Sequence, residues 1–174
     1  MTDQADIWEK ELAEVKARMA PTGVTTLEDV RKLSGIEFFR GIFAGKFPSV
    51  PMGKLMGFFP LEVEAGRMVF QGTPGPEHLN PMGSVHGGYV ATLLDSALGC
   101  AVHSTLPAGR AFTTLELKVN MIRALSAKTG PVRAEGKVVH VGRQTGIAEG
   151  RVTDSAGRLL AWGSTTCLIF DLPA

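Results

Sequence analysis

Cysteine is scarce in this chain of 174 residues: Cys100 and Cys167 stand far apart, without CxxC spacing, each in an apolar stretch. Such a pair argues against a disulfide framework or a cysteine metal site and reads as two buried free thiols. An excess of one charge is lacking too. Lys plus Arg number 18 against 17 Asp plus Glu, and a net charge of +1 gives no footprint for nucleic acid or an anionic membrane surface. The glycine-rich phosphate loops GxxxxGK[ST] and GxGxxG are absent, which argues against nucleoside triphosphate chemistry, and no GxSxG elbow supports a serine triad. No basic segment leads into an apolar one at the N-terminus, so secretion is not signalled and a cytoplasmic protein is expected. Internal repeats and low-complexity segments are missing as well.

What is present begins with helical patterning. "DIWEKELAEVKARM" puts Ile7, Leu12, Val15 and Met19 on one stripe, "TTLEDVRKL" opens with a Thr cap signal, and "GIEFFRGIFAGKF" carries Ile36, Phe39, Ile42 and Phe43. These predict an N-terminal arm of short helices over residues 1–50. "PSVPMGK" supplies two prolines and a glycine, which sets the boundary to a main domain over 51–174. There the period changes to two: Leu61, Val63, Met68 and Phe70 alternate around Glu64-Ala65-Gly66-Arg67, a hairpin signal. Three more strand-like stretches follow residue 110, the middle one broken near Gly142. In the first, Leu115, Leu117, Val119 and Met121 alternate with Glu116, Lys118 and Asn120, predicting a sheet with one apolar face. Five or six antiparallel strands around one long buried helix make an α+β architecture.

That helix carries the oddest composition. From Met82 to Leu106 the only formally charged side chain is Asp95, in a chain where 20% of residues are charged. A membrane span is disfavoured, because a central acid costs about 2.5–3.5 kcal/mol on insertion scales. Over roughly Gly88 to Ser104, Val90, Leu93, Leu94, Ala97, Leu98 and Ala101 cover one broad face, while Thr92, Asp95, Ser96, Gly99 and His103 share the other. The second face is polar but small, so it is expected to pack against a second subunit or a ligand. Asp95 is then either a reactive carboxylate in a partly dry crevice or an acid tied into a structural hydrogen bond to Thr, Ser or a backbone amide. The helix start favours the first: Gly87 and Gly88 leave backbone N–H groups open at the positive end of a helix dipole, which suits an oxyanion. His78, His86 and Asp95 match no familiar metal spacing. No metal and no separate cofactor are expected.

The pattern "NPMGSVHGGYVATLLDSALG", with "TTLELKVNMIRAL" and "GRQTGIAEGRVTDSAGRLLAWGSTTC" after it, resembles the hotdog-fold acyl-CoA thioesterases of the phenylacetate-degradation (PaaI-like) branch of the 4-hydroxybenzoyl-CoA thioesterase superfamily. The likeness runs over about residues 55–171 and leaves the arm outside. The resemblance implies hydrolysis of an acyl-CoA thioester. Asp95 would be the nucleophile or the general base that activates water, and Gly87 N–H would bind the thioester carbonyl oxygen. His86 and Asn80 would orient thioester and water across a dimer interface, and Thr114, with Thr113 as the fallback, would position the water. Gly88 would add a substrate contact, and Arg123 and Arg143 are candidates for the coenzyme A phosphates. The resemblance also implies a homodimer, often assembled into a homotetramer. Two alternatives stay open: a non-catalytic binder of acyl or aromatic ligands, and a hotdog dehydratase acting on hydroxyacyl-CoA.

Overall fold

The computed structural model describes residues 3–173. Its centre is helix α5 (Gly87–His103), on which Leu93, Leu94, Ala97, Leu98, Ala101 and Val102 lose all contact with water. A six-stranded antiparallel sheet curls around that apolar face in the order β3-β4-β6-β7-β8-β5. The strands are β3 (Phe58–Glu64), β4 (Arg67–Gly72), β5 (Arg110–Met121), β6 (Val132–Val141), β7 (Thr145–Asp154) and β8 (Leu159–Asp171). Glycine permits the tight wrap where it is closest: a Cβ at Gly136 would lie 2.4 Å from the Ala97 carbonyl oxygen, and one at Gly150 2.9 Å from a Leu98 methyl. The predicted hairpin forms with Glu64 opposite Arg67, and Gly66 supplies the positive φ of 82° that its two-residue turn needs.

The residues before the sheet form α1 (Gln4–Lys16), α2 (Leu27–Arg31) and α3 (Gly35–Phe43), with a small parallel pair, β1 (Ala20–Thr22) and β2 (Pro48–Ser49). They are docked. Val15 of α1 packs with Leu61 and Val69, joined by Leu12, Met19 and Phe43, on the face of β3 and β4 turned away from α5. The Trp8 ring lies 4.1 Å from the Arg133 guanidinium, while Arg133 also pairs with Glu11. Ile7, expected on the apolar stripe of α1, is instead 38% exposed, because the helix turns Trp8 rather than Ile7 toward the sheet. A short helix begins within residues 48–54. The prolines and glycine there mark the expected boundary, and Pro51–Met56 form helix α4, with proline at its first turn, where the missing N–H needs no partner, and Gly57 at φ 67° ending it.

Candidate active site

The outer face of α5 is where the sequence places its chemistry. Helix α3 and strand β5 cover much of it. The start of α3 abuts the end of α5: Gly35 N–H donates to the Leu106 carbonyl at 2.9 Å. The His103 ring sits among Phe38, Phe39 and Phe112, with centroids 5.4–5.9 Å away. Burial in this aromatic nest pulls the His103 pKa down to about 4. Gly99 faces Phe112 so closely that a Cβ there would meet the ring at 2.6 Å. The expectation that a subunit or ligand covers this face thus changes for its C-terminal half, where the chain's own helix and strand do so.

Asp95 lies farther toward the helix start, half-buried, and its Oδ1 accepts a hydrogen bond from Thr114 Oγ1 at 2.9 Å. A β-bulge makes this contact. Opposite β8, Thr114 pairs with Cys167 and Glu116 with Thr166, so Leu115 is the extra residue. Phe112 and Thr114 therefore point inward before the bulge, and Leu117 and Val119 after it. Leu115, expected on the apolar face, is 63% exposed for this reason, and Thr113 also faces outward. Two thiols lie close to the carboxylate. Burial above all, helped by the Asp95 charge, pushes Cys100 up to about 12, and burial likewise raises Cys167. Both are neutral thiols at ordinary pH.

The helix start gathers a second set of groups. His86 is the N-cap of α5, and its Nδ1 accepts the Gly88 N–H at 2.8 Å. An accepting Nδ1 leaves the proton on Nε2, so the ring presents a donor to solvent. Gly88 is thereby occupied, whereas Gly87 N–H makes no hydrogen bond among the described residues. The loop before the cap is held by Asn80, whose Oδ1 accepts from Met82 N and Ser84 N at 2.9 and 3.1 Å, leaving its amide NH₂ free to donate. His78 underpins the turn: Nδ1 takes the Gly75 N–H at 2.9 Å, and its carbonyl takes the His86 N–H at 2.8 Å.

One chain does not unite the two sets. Gly87 and Asp95 are eight residues apart on a straight helix, about 12 Å along its axis. The arginines are separated as well. Arg123 follows β5 at the end nearest the α5 start, where its guanidinium donates to the Leu159 carbonyl. Arg143 lies at the opposite end of the sheet, its carbonyl bonded to Arg110 at the beginning of β5. A further feature lies next to Asp95 along α5: Ser96 and Cys100 line an apolar cavity of about 230 Å³ that reaches to Phe39 and Ile42 of α3. From the sequence, Phe38, Phe39, Phe43 and Phe47 of the arm are expected to pack on the sheet rather than to cover an acyl pocket, and of these four Phe39 lines the cavity.

Known proteins share this fold and part of this sequence. Residues 82–161 match the family model of the thioesterase superfamily. A protein of Halobacterium salinarum named as an esterase is 44% identical over 69 residues, which span 38% of this chain and 44% of that relative's length. A 1,4-dihydroxy-2-naphthoyl-CoA hydrolase of Listeria monocytogenes is 25% identical over 66% of this chain and 91% of its own. Among solved structures, a conserved protein of Pseudomonas aeruginosa is 31% identical, covers 69% of this chain and 94% of its own, and superposes with a TM-score of 0.65. The phenylacetic acid degradation protein PaaI of Thermus thermophilus, as a mutant form, is 28% identical over 68% of this chain and 97% of its own, at 0.62. A Streptococcus mutans protein bound to acetyl CoA is 26% identical over 67% and 91%, at 0.61. With its helix, wrapped sheet and matched sequence, the chain belongs to the thioesterase superfamily and takes the hotdog fold.

Proposed function

We propose that the protein hydrolyses acyl-CoA thioesters in a site that two copies of the chain build together. The observation that carries this reading is the Asp95–Thr114 hydrogen bond, an acid held by a neutral hydroxyl donor. Asp154 is held far more completely, by the Arg158 guanidinium and by the Ala156 and Arg158 N–H groups, whereas among the described residues Thr114 is the one hydrogen-bond donor to Asp95. Thr114 engages one oxygen of Asp95 and leaves the other to take a proton from water. That water attacks the thioester carbonyl carbon, and the oxygen becomes an oxyanion at Gly87 N–H, the open donor at the positive end of α5. Collapse expels the coenzyme A thiolate, which takes up the proton Asp95 had accepted. His86 Nε2–H and the Asn80 amide orient the thioester.

The separation of Gly87 from Asp95 favours a homodimer, in which one copy offers the N-terminal donors and the other its acid. An end-for-end second copy also carries its Arg143 end toward the Arg123 end of the first, so both arginines serve the coenzyme A phosphates at one mouth. Pairing of dimers into a homotetramer, in the cytoplasm, completes this reading. The CoA hydrolase name of the Listeria relative and the acetyl CoA bound by the Streptococcus structure support the substrate class. Thiol release from a panel of acyl-CoAs tests it. Asp95→Asn is expected to lower kcat by about 10²- to 10⁴-fold, the usual share of a general base. An unchanged rate would remove Asp95 from the mechanism.

A further inference from the structure

The cavity beside Asp95 has an unusual construction. Its inner wall belongs to the hotdog: Ser96 and Cys100 of α5, with Phe58 and Phe70 from the sheet. Its outer wall belongs to the N-terminal segment, where Phe39 and Ile42 of α3 are 5% and 4% exposed, and Val50 and Met52 close the rim. All four outer residues precede β3, the first strand of the six-stranded sheet. The pocket is therefore made where the N-terminal segment meets the sheet and α5.

Its chemistry is narrow. Among the described residues, no charged side chain lines it. The Ser96 hydroxyl already donates to the Thr92 carbonyl at 3.0 Å, and the Ser49 hydroxyl shares a hydrogen bond with Thr22. Cys100 is a neutral thiol. A hydroxylated or charged acyl group placed here would lose its water without gaining a strong partner. An apolar one would gain burial. The volume of about 230 Å³ exceeds the roughly 150 Å³ of an apolar cavity known to accept benzene. The cavity touches α5 at Ser96, the residue directly after Asp95, and at Cys100, which feels the Asp95 charge.

We propose that this cavity is the acyl-specificity pocket, that it takes an unsubstituted aryl or medium-length alkyl group, and that Phe39 and Ile42 of the N-terminal segment set its depth. The inference rests on the thioesterase reading above. It distinguishes this chain from an enzyme for dihydroxylated aryl groups such as its Listeria relative is named for.

The test compares kcat/KM for acetyl-, octanoyl-, phenylacetyl- and 4-hydroxyphenylacetyl-CoA across three variants of the full chain. Ile42→Phe fills the pocket and is expected to lower the octanoyl-to-acetyl ratio by about tenfold or more. Phe39→Ala deepens it and shifts the preferred chain longer. Met52→Trp alters a rim residue that is 51% exposed, so it narrows the pocket without burdening the core. The 4-hydroxyl group is expected to reduce kcat/KM by roughly tenfold against phenylacetyl-CoA. Folded variants with wild-type ratios would overturn the pocket while leaving the thioesterase reading intact. If no acyl-CoA releases thiol, that reading fails instead. Calorimetric binding of the unreactive thioether octyl-CoA then still decides on the pocket: weaker binding by Ile42→Phe supports it, and equal binding refutes it.

Discussion

Three short local facts define the chemistry at the scale of single residues. Thr114 donates to Asp95, His86 Nδ1 holds the Gly88 N–H, and Gly87 keeps its N–H open. Removing the Thr114 hydroxyl at nearly constant shape leaves the carboxylate without its donor. Thr114→Val is expected to lower kcat about tenfold to a hundredfold with KM little changed, as steady-state kinetics will show. Gly87→Pro is a cleaner probe of the oxyanion donor than any side-chain change. Position 87 is the first of α5, where proline fits the helix, and His86 already has the extended ψ of 135° that precedes proline comfortably. The variant should fold normally and lose about 10²- to 10³-fold in kcat. The helix start at Gly87 and the lone acid Asp95 are legible in the sequence itself, whereas Asn80 and the role of His86 enter only through the family resemblance. Thr114 was harder to separate from Thr113. Alternation counted back from Leu117 turns Thr113 inward, and the bulge at Leu115 reverses this.

At the scale of elements, α5 was legible to within a residue at each end, because an uncharged run with a glycine start has few alternatives. Strand β5 was less so. Simple alternation puts Leu115 on the apolar face, and only its pairing with β8 reveals the extra residue. Such a bulge is a property of two strands, invisible in one. The docking of α3 on α5 was similarly hidden, because phenylalanines announce burial without naming what they bury against. This contact has a pH signature. His103 is neutral in the fold down to about pH 4, whereas in the unfolded chain it takes up a proton below about pH 6.5. The unfolded state therefore binds more protons between these values, so stability falls as pH drops from about 6.5 to about 4 and levels off below. Urea denaturation at pH 7 and pH 4.5 should show His103→Leu losing less stability on acidification than wild type, by an amount on the order of 2 kcal/mol.

At the scale of the whole molecule, the sheet ends in β5, and its outer edge carries Leu115, Met121 and the neighbouring Ile122, which are 63%, 51% and 47% exposed. A long apolar edge of this kind invites a second sheet. The same need arises from the chemistry, since one chain sets its open N–H and its acid about 12 Å apart along α5. Leu115→Arg is expected to shift the protein toward monomer in analytical ultracentrifugation and to lower activity in step with the dimer fraction. The central claim, that each site joins the helix start of one copy to the Asp95 of another, is tested most directly by subunit complementation. Asp95→Asn and Gly87→Pro proteins, each nearly inactive, are unfolded together, refolded as a mixture and assayed for thiol release. If the claim holds, random pairing gives mixed dimers with one intact site each, and activity returns to about a quarter of wild type. If each chain carries a complete site, the mixture stays as inactive as its components.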